Sequence, residues 1–574
     1  MPVFRSLFKQ HTMTLQPLYT IALIGLMAAA ATGCEKDFLD TKVDTQQTQE
    51  TLNTNYTTLV SLANAPYNYL RNEFTLLDSN LFATVSDEAV QTATSADVRL
   101  FNNGSWNAYN NPDNYYANYY AGIRAANYFI EQSGNYRSFL ALNRDTVSAT
   151  GKINYTNDTL NMGWYIAEAH ILRAWYYFEL SKRYGGVPLV TQTLAVTDNT
   201  NIPRASYDDI INFVVNEVDA YKSSMQPNWK TSSFTSNDGR LNRGAALALK
   251  ARALLFAASP LHNASNDVSK WQKAAAALND VIVFAQGAGA YSLHSDYRNY
   301  FLQNNTVTSN ETIWAIRYPA GNWLEKSNYP IGTAGGNSGI TPTNNLVSDY
   351  EYTGTPDPLN PYANRDPRLA FTVVTNNSTW NGRTINESAG GTDDMTKTNT
   401  SRTGYYLKKF LNDGLNLVQG GTQVHHWPVF RYGEVLLEYA EAMNEAYGPD
   451  NNNGYVYTAR QALNLVRNRP GVAMPAVTVA DVPGFRSAVK HERRIELAFE
   501  NYRYWDLLRW KDAAAVLSQP VTGVSVSKNG SGQFVYTPVT VENRVFDASK
   551  MYYYPFPQTE VLKSKGVLIQ NEGW

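Results

Sequence analysis

MGWYIAEAHILRAWYYFELSKRYGGVPL, residues 162–189, decides the architecture of this chain. Tyr165, Ala169, Leu172, Tyr176 and Leu180 recur at spacings of 4, 3, 4 and 4, which puts them on one helical face. A second stripe, Ala167, Ile171, Ala174 and Phe178, runs along the same segment. A helix apolar on two faces must lie between neighbours. Gly185-Gly186 ends it, because glycine accepts the left-handed backbone of a helix C-terminus. Val187-Pro188 then begins an extended exit, since a residue before proline is driven out of the helical region.

The same pattern spreads outward from this segment. Residues 207–222 read as a helix with Asp208 and Asp209 in the first turn, where carboxylates suit the macrodipole. Leu247, Ala251, Leu254 and Ala258 stripe the next helix, and 271–286, 430–446, 457–469 and 485–510 follow. These segments pair as 116–132 with 162–184, 207–223 with 241–258, and 430–446 with 457–469. Paired helices with alanine on their contact faces resemble tetratricopeptide units, whose period is about 34 residues. The fold class is therefore mostly α, a frame of helical pairs. Between 290 and 425 the texture changes to Gly, Asn, Thr, Pro and Tyr, with few helical stripes. Long irregular segments on a rigid frame commonly carry function. Trp314, Trp323, Tyr329, Tyr350 and Trp380 give this one enough aromatic surface to fold. A shorter irregular stretch covers 97–114. The two are expected to form one face laid over the frame.

Charge and cysteine usage narrow the function classes. Lys and Arg number 48 against 50 Asp and Glu, a net charge of -2, so there is no electrostatic footprint for nucleic acid. Charged residues are only 17% of the chain, while Tyr reaches 39 copies and Trp 12. Such a surface hydrogen-bonds and stacks more than it attracts ions. Cys34 is the sole cysteine, and it follows a basic stretch (Arg5, Lys9) and an apolar run at 18–31. As a helix that run would span about 21 Å, short of a bilayer's ~30 Å core. Small residues precede Cys34, as in a cleaved secretory signal. A cysteine at the cut is the pattern of bacterial lipoproteins, although Ala31 stands where a leucine is usual. The expected organisation is a signal peptide at 1–33, a tether at 34–50 lipidated on Cys34, and one domain from 51 to 574. Membrane attachment is then through the N-terminal lipid, because no second apolar run approaches ~18 residues.

The chemistry-bearing motifs point away from catalysis. Residues 492–510 read ERRIELAFENYRYWDLLRW. On a continuous helix Ile495, Phe499, Tyr502 and Trp505 form an apolar face, with Arg493–Glu496 and Arg503–Asp506 as ion pairs three residues apart. Glu496 and Glu500 would share a face, but an acid/base pair needs a cleft and shifted pKa values as well. A salt-bridged packing helix is the favoured reading, and no catalytic residue is assigned. His425 and His426 are adjacent, so their rings diverge, and a zinc site on a helix wants a four-residue spacing and a third ligand. The run from Asp450 to Gly454 reads as a polar turn, since Gln461 stands where a calcium loop carries glutamate. Neither a metal nor a cofactor is assigned. The remaining candidates are loop aromatics: Trp106, Asn107 and Tyr109 in one stretch, and Trp323 and Tyr329 flanking Lys326 to Asn328 in the other. Sugar C–H faces pack on indole and phenol planes while amides meet the hydroxyls.

Four stretches together resemble the SusD/RagB family of outer-membrane nutrient-binding lipoproteins. They are CEKDFLD from Cys34, the RAWYYF to YGGVPL run ending at Leu189, the segment 492–510, and YYYPFP from Tyr552 with the closing QNEGW. The resemblance spans nearly the whole chain beyond Cys34, in order. It implies a tetratricopeptide-like frame under an irregular ligand face and no catalysis. It implies an outward-facing lipoprotein of a Gram-negative outer membrane, acting as a lid on a SusC-like TonB-dependent transporter to which it passes glycans. Some relatives take peptides, which leaves a peptide-binding protein as the alternative and a helical glycoside hydrolase as a more distant one. The resemblance places Trp106 and Asn107 where the founding starch binder has a tryptophan and an asparagine. It places Trp323 and Tyr329 in the second binding segment, with Tyr109 a lesser candidate.

Overall fold

Ser148 caps a helix that runs 36 residues, Ala149–Tyr184, in the computed structural model, which describes residues 55–77, 79–198 and 201–574. Cys34, the signal peptide and the tether lie outside the described residues. The sequence pattern places this helix at 162–184, and its apolar part is there: every residue of both stripes is buried. The added 13 residues carry no stripe, because from Lys152 to Asn161 none is buried. Gly185 closes the helix at φ 72°, with its N–H donating to the Ser181 carbonyl.

The frame helices are α1 (Tyr116–Gln132), α2 (Ala149–Tyr184), α3 (Tyr207–Tyr221), α4 (Arg243–Ala258), α5 (Val268–Gln286), α6 (Tyr432–Tyr447), α7 (Ala459–Arg467), α8 (Val482–Glu496) and α9 (Arg503–Arg509). Side-chain caps start most of them: Ser206 and Asp209 form a capping box on α3, and Thr458 and Gln461 form one on α7. The three expected pairs all pack, but α2 also packs on α3, α4 on α5 and α5 on α6. The result is a continuous array of the tetratricopeptide kind rather than isolated pairs. Its alanines work as the sequence suggests: Ala245, Ala248, Ala251 and Ala258 of α4 and Ala274 and Ala277 of α5 are buried between the helices.

The long irregular segment leaves the frame after α5 and returns before α6. Its two ends are clasped, because Thr312–Arg317 pairs antiparallel with His426–Arg431, and the latter runs directly into α6. Shorter pairings fix the rest, Ala89–Gln91 with Ile340–Pro342 and Val373–Thr375 with Tyr405–Leu407. A hairpin of Val521–Lys528 and Phe534–Glu542 closes that side. Residues 56–574 form one compact unit.

The 492–510 segment corrects the expectation of a continuous helix. α8 stops at Glu496, then Phe499 (φ 65°) and Asn501 (φ 62°) adopt the left-handed conformation before α9 begins. The near-sequence ion pairs do not form. Arg493 instead binds Asp506 at 2.9 Å, and Arg503 binds Asp87 at 2.9 Å. The turn sends Glu496 and Glu500 into a buried network. Arg431 meets Glu311 at 2.8 Å, Glu496 at 2.8 Å and Glu500 at 2.7 Å. Arg469 meets Glu311 and Glu496, Arg368 meets Glu492 and Glu496, and Lys409 meets Glu500. Glu311, Arg368 and Lys409 belong to the irregular segment, and Glu492 and Glu496 to α8. The network therefore rivets the irregular segment to the frame. Burial alone would raise the Glu496 carboxyl, but Arg469, Arg431 and Arg368 together hold it down at about 2. These two glutamates are structural ions, with no open cleft between them.

Candidate ligand-binding site

The five sequence-predicted residues fall into two separate places, and two of them have no surface to offer. Trp106 is 2% exposed. Its ring stacks on Phe101 at 4.7 Å between centroids and is enclosed by Trp574 at 4.6 Å and Tyr554 at 5.0 Å. Tyr329 is fully buried. It meets Trp380 edge-on at 5.1 Å and donates its hydroxyl proton to the Asn412 carbonyl. Both are corrected to packing residues, since a sugar platform needs a free ring face. Asn107 is exposed, but its side-chain oxygen accepts the N–H groups of Tyr109 (2.9 Å) and Asn110 (3.2 Å), so it shapes the turn. Tyr109 stands 83% exposed at the tip of that turn. Trp323 is half-buried at the start of the short helix Trp323–Asn328, edge-on to Phe74 at 5.9 Å. No ring contact among the described residues joins the Trp106 group to the Trp323 group.

The structure also forms a cleft that the sequence reading missed, and Trp323 does not line it. Phe74 carries Trp323 on one edge and Tyr318 on another, the latter at 5.8 Å. Tyr318 opens a cleft of about 460 Å³ lined by Asn64, Tyr67, Asn68, Asn72, Asp238, Arg240, Trp314 and Arg317, among others. Three elements build it: the Pro66-led turn at Ala65–Tyr69, the loop around Gly239, and the clasp strand Thr312–Arg317. Its floor is fixed by Glu168 of α2, which accepts the Tyr67 hydroxyl at 2.8 Å and the Arg240 Nε–H at 2.7 Å. Burial raises the Glu168 carboxyl above its usual range, and Arg240 pulls the other way. The Arg240 guanidinium thereby lies over the Tyr67 ring at 5.0 Å and the Tyr165 ring at 4.0 Å. On the rim Arg317 pairs with Asp238 at 2.7 Å. Tyr318 is set by its own hydroxyl, which accepts the Glu73 N–H at 3.2 Å and donates to the Arg71 carbonyl at 3.4 Å.

The arrangement offers the half-buried phenols of Tyr67 and Tyr318 beside the exposed amides of Asn64, Asn68 and Asn72 and the exposed guanidinium of Arg317. Rings for C–H faces and planar donors for hydroxyls are the complement of a sugar. Asp238 is the one acid lining the cleft. His425 and His426 do point apart: His425 meets Glu325 at 3.0 Å and His426 meets Asn304 at 3.1 Å. Among the described residues no group of three His, Cys, Asp or Glu is placed to hold a metal. The signal available in the sequence was the NAPYNYLRN run at 64–72, where asparagine and tyrosine crowd a proline turn.

Fold and cleft together describe a helical-repeat frame with a long irregular segment and a candidate binding cleft. The family model described as the SusD family matches residues 281–574, and the chain belongs to that family. A second model, described as starch-binding associating with outer membrane, matches 37–255. Among similar proteins, the SusD-like protein P38 of Formosa agariphila is 25% identical over 378 residues, covering 63% of this chain and 69% of its own. A SusD-like protein of Bacteroides ovatus is 24% identical over 365 residues, covering 60% and 58%. The crystal structure of a SusD-like protein from Bacteroides fragilis superposes with a TM-score of 0.74 at 24% identity, over 92% of this chain and 98% of that one. A structure described as a laminarin binding SusD-like protein gives 0.61 at 20% identity, over 90% and 99%.

Proposed function

We propose that this protein is a non-catalytic, cell-surface glycan-binding lipoprotein that captures oligosaccharides and passes them to a SusC-like TonB-dependent transporter. The observation that carries the reading is the cleft of Tyr67, Tyr318, Asn68, Asn72 and Arg317, in a chain of the SusD family. The laminarin-binding and carbohydrate-binding descriptions of two structural neighbours support a glycan as ligand. The outer-membrane description of the second family model supports the location, together with the Cys34 signal read in the sequence. One lining acid supports capture over cleavage, since glycoside hydrolysis asks for two carboxylates across a cleft.

The test is calorimetry of residues 35–574 against plant, microbial and host glycans and against peptides. One glycan class should bind with no release of reducing sugar. Asn68→Ala and Arg317→Ala should each weaken that binding about tenfold, the ~1.4 kcal/mol expected from one hydrogen-bonded or charge-assisted contact. Both should leave thermal unfolding nearly unchanged. Binding to peptides alone would replace the glycan with the peptide reading, and wild-type affinity in both variants would move the site elsewhere.

A further inference from the structure

We propose that the helical hairpin at residues 136–161 is a membrane-facing tip, whose exposed apolar side chains seat in the interface of an anionic lipid surface. It consists of the helix Tyr136–Asn143, a short connection, and the first turns of α2. Leu142 is 85% exposed, Val147 83% and Ile153 61%, and Leu160 follows on the α2 face of Ile153. This is not the rim of a core. The small apolar cluster at the hairpin's base gathers Phe139, Leu140 and Met162, and these four side chains are not part of it. Arg137, Arg144 and Lys152 stand among them, against Asp145 and Asp158. Arg144 occupies Asp158 at 2.7 Å. That leaves Arg137 and Lys152 against Asp145, and an apolar patch with a net positive charge of one suits an interface of acyl chains and anionic headgroups.

The point where the described chain begins argues for lipid as the occupant. Tyr56 opens the first helix, and the Arg144 guanidinium lies over its ring at 4.7 Å. Tyr56, the start of the folded unit, thus lies at this hairpin. A linker of ~20 residues reaches up to about 70 Å, so a tether alone does not choose which face meets the bilayer. An apolar tip near the start of the folded unit supplies a second contact, which fixes the orientation that acyl chains on a linker leave free. The inference rests on the membrane attachment proposed above and is independent of the ligand.

Residues 35–574 contain no cysteine, so Val147→Cys gives a unique thiol for an environment-sensitive fluorophore. The chain would be tethered by an N-terminal hexahistidine tag to vesicles of phosphatidylethanolamine, phosphatidylglycerol and a nickel-chelating lipid. The label at 147 should shift to the blue and be quenched by spin-labelled lipid. The same label at Val418→Cys, a site 73% exposed, should do neither. Adding Leu142→Ser and Ile153→Ser should abolish the response at 147. Equal responses at the two sites, or none at 147, would overturn the proposal. A blue shift without vesicles would also overturn it, because residues 35–54 would then be the cover. Since the tag replaces the natural lipid, failure here leaves both lipidation and glycan binding standing.

Discussion

Trp106 and Trp323 are the same residue type in similar polar loops, and the fold buries the first and leaves the second half-buried. The walls around Trp106 come from Tyr554 and Trp574 at the far end of the chain, which no local pattern could announce. Replacing it with alanine empties a fully enclosed indole site, a change that typically costs about 3–5 kcal/mol. Trp106→Ala should therefore lower the urea midpoint sharply while the folded fraction keeps wild-type glycan affinity. A selective loss of affinity at unchanged stability would return Trp106 to the ligand site. Residue chemistry was legible in the sequence, but exposure was not. Tyr329 failed for the same reason, since its partners Trp380 and Asn412 lie across the irregular segment. Tyr67 and Asn68 were passed over because a Tyr-Asn pair after proline looks like any turn until Arg240 and Glu168 are brought beneath it.

At the scale of elements, periodicity delivered what it physically encodes. The two stripes of α2 and the alanine faces of α4 were legible because burial on a helix repeats every 3.6 residues. The first turns of α2 have no buried face, so nothing periodic marks them, and only the Ser148 cap shows where the helix begins. The break between α8 and α9 was hidden because phenylalanine seldom adopts a positive φ, and Phe499 does so under tertiary constraint. The close approach of α1 to α2 gives a test of this packing. A Cβ on Gly122 would come within 2.6 Å of the Tyr176 ring. That ring cannot swing aside freely, because its hydroxyl donates to the Pro66 carbonyl at 2.6 Å. Alanine normally gains about 1 kcal/mol over glycine inside a helix. Overpacking here costs about 1–3 kcal/mol, so steric strain should win. Gly122→Ala is expected to lower the melting temperature, and a rise would mean that the two helices separate at little cost.

For the whole molecule the question is whether frame and ligand face are one cooperative unit. The Arg431–Glu496–Arg469 network joins them, and its charges are buried, so breaking it exposes unpaired ions rather than returning solvated ones. Glu496→Gln should destabilise the protein by about 3–5 kcal/mol near neutral pH, as loss of one partner of a buried pair does. Its pH signature follows from the depressed carboxyl, which titrates at about 2 in the fold against an ordinary value of 4.5. The folded state binds fewer protons than the unfolded state in that interval, so the contribution is complete above pH 4.5 and is lost as pH falls towards 2. Denaturation midpoints measured down this range should fall steeply for the wild type and less steeply for Glu496→Gln. The same titration decides cooperativity. If the network is the rivet, glycan binding and the far-ultraviolet helical signal should disappear together as acid protonates Glu496. Loss of binding at a higher pH, with the helices intact, would show that the irregular segment detaches by itself and that the clasp at Thr312–Arg317, rather than the ion network, holds the ligand face in place.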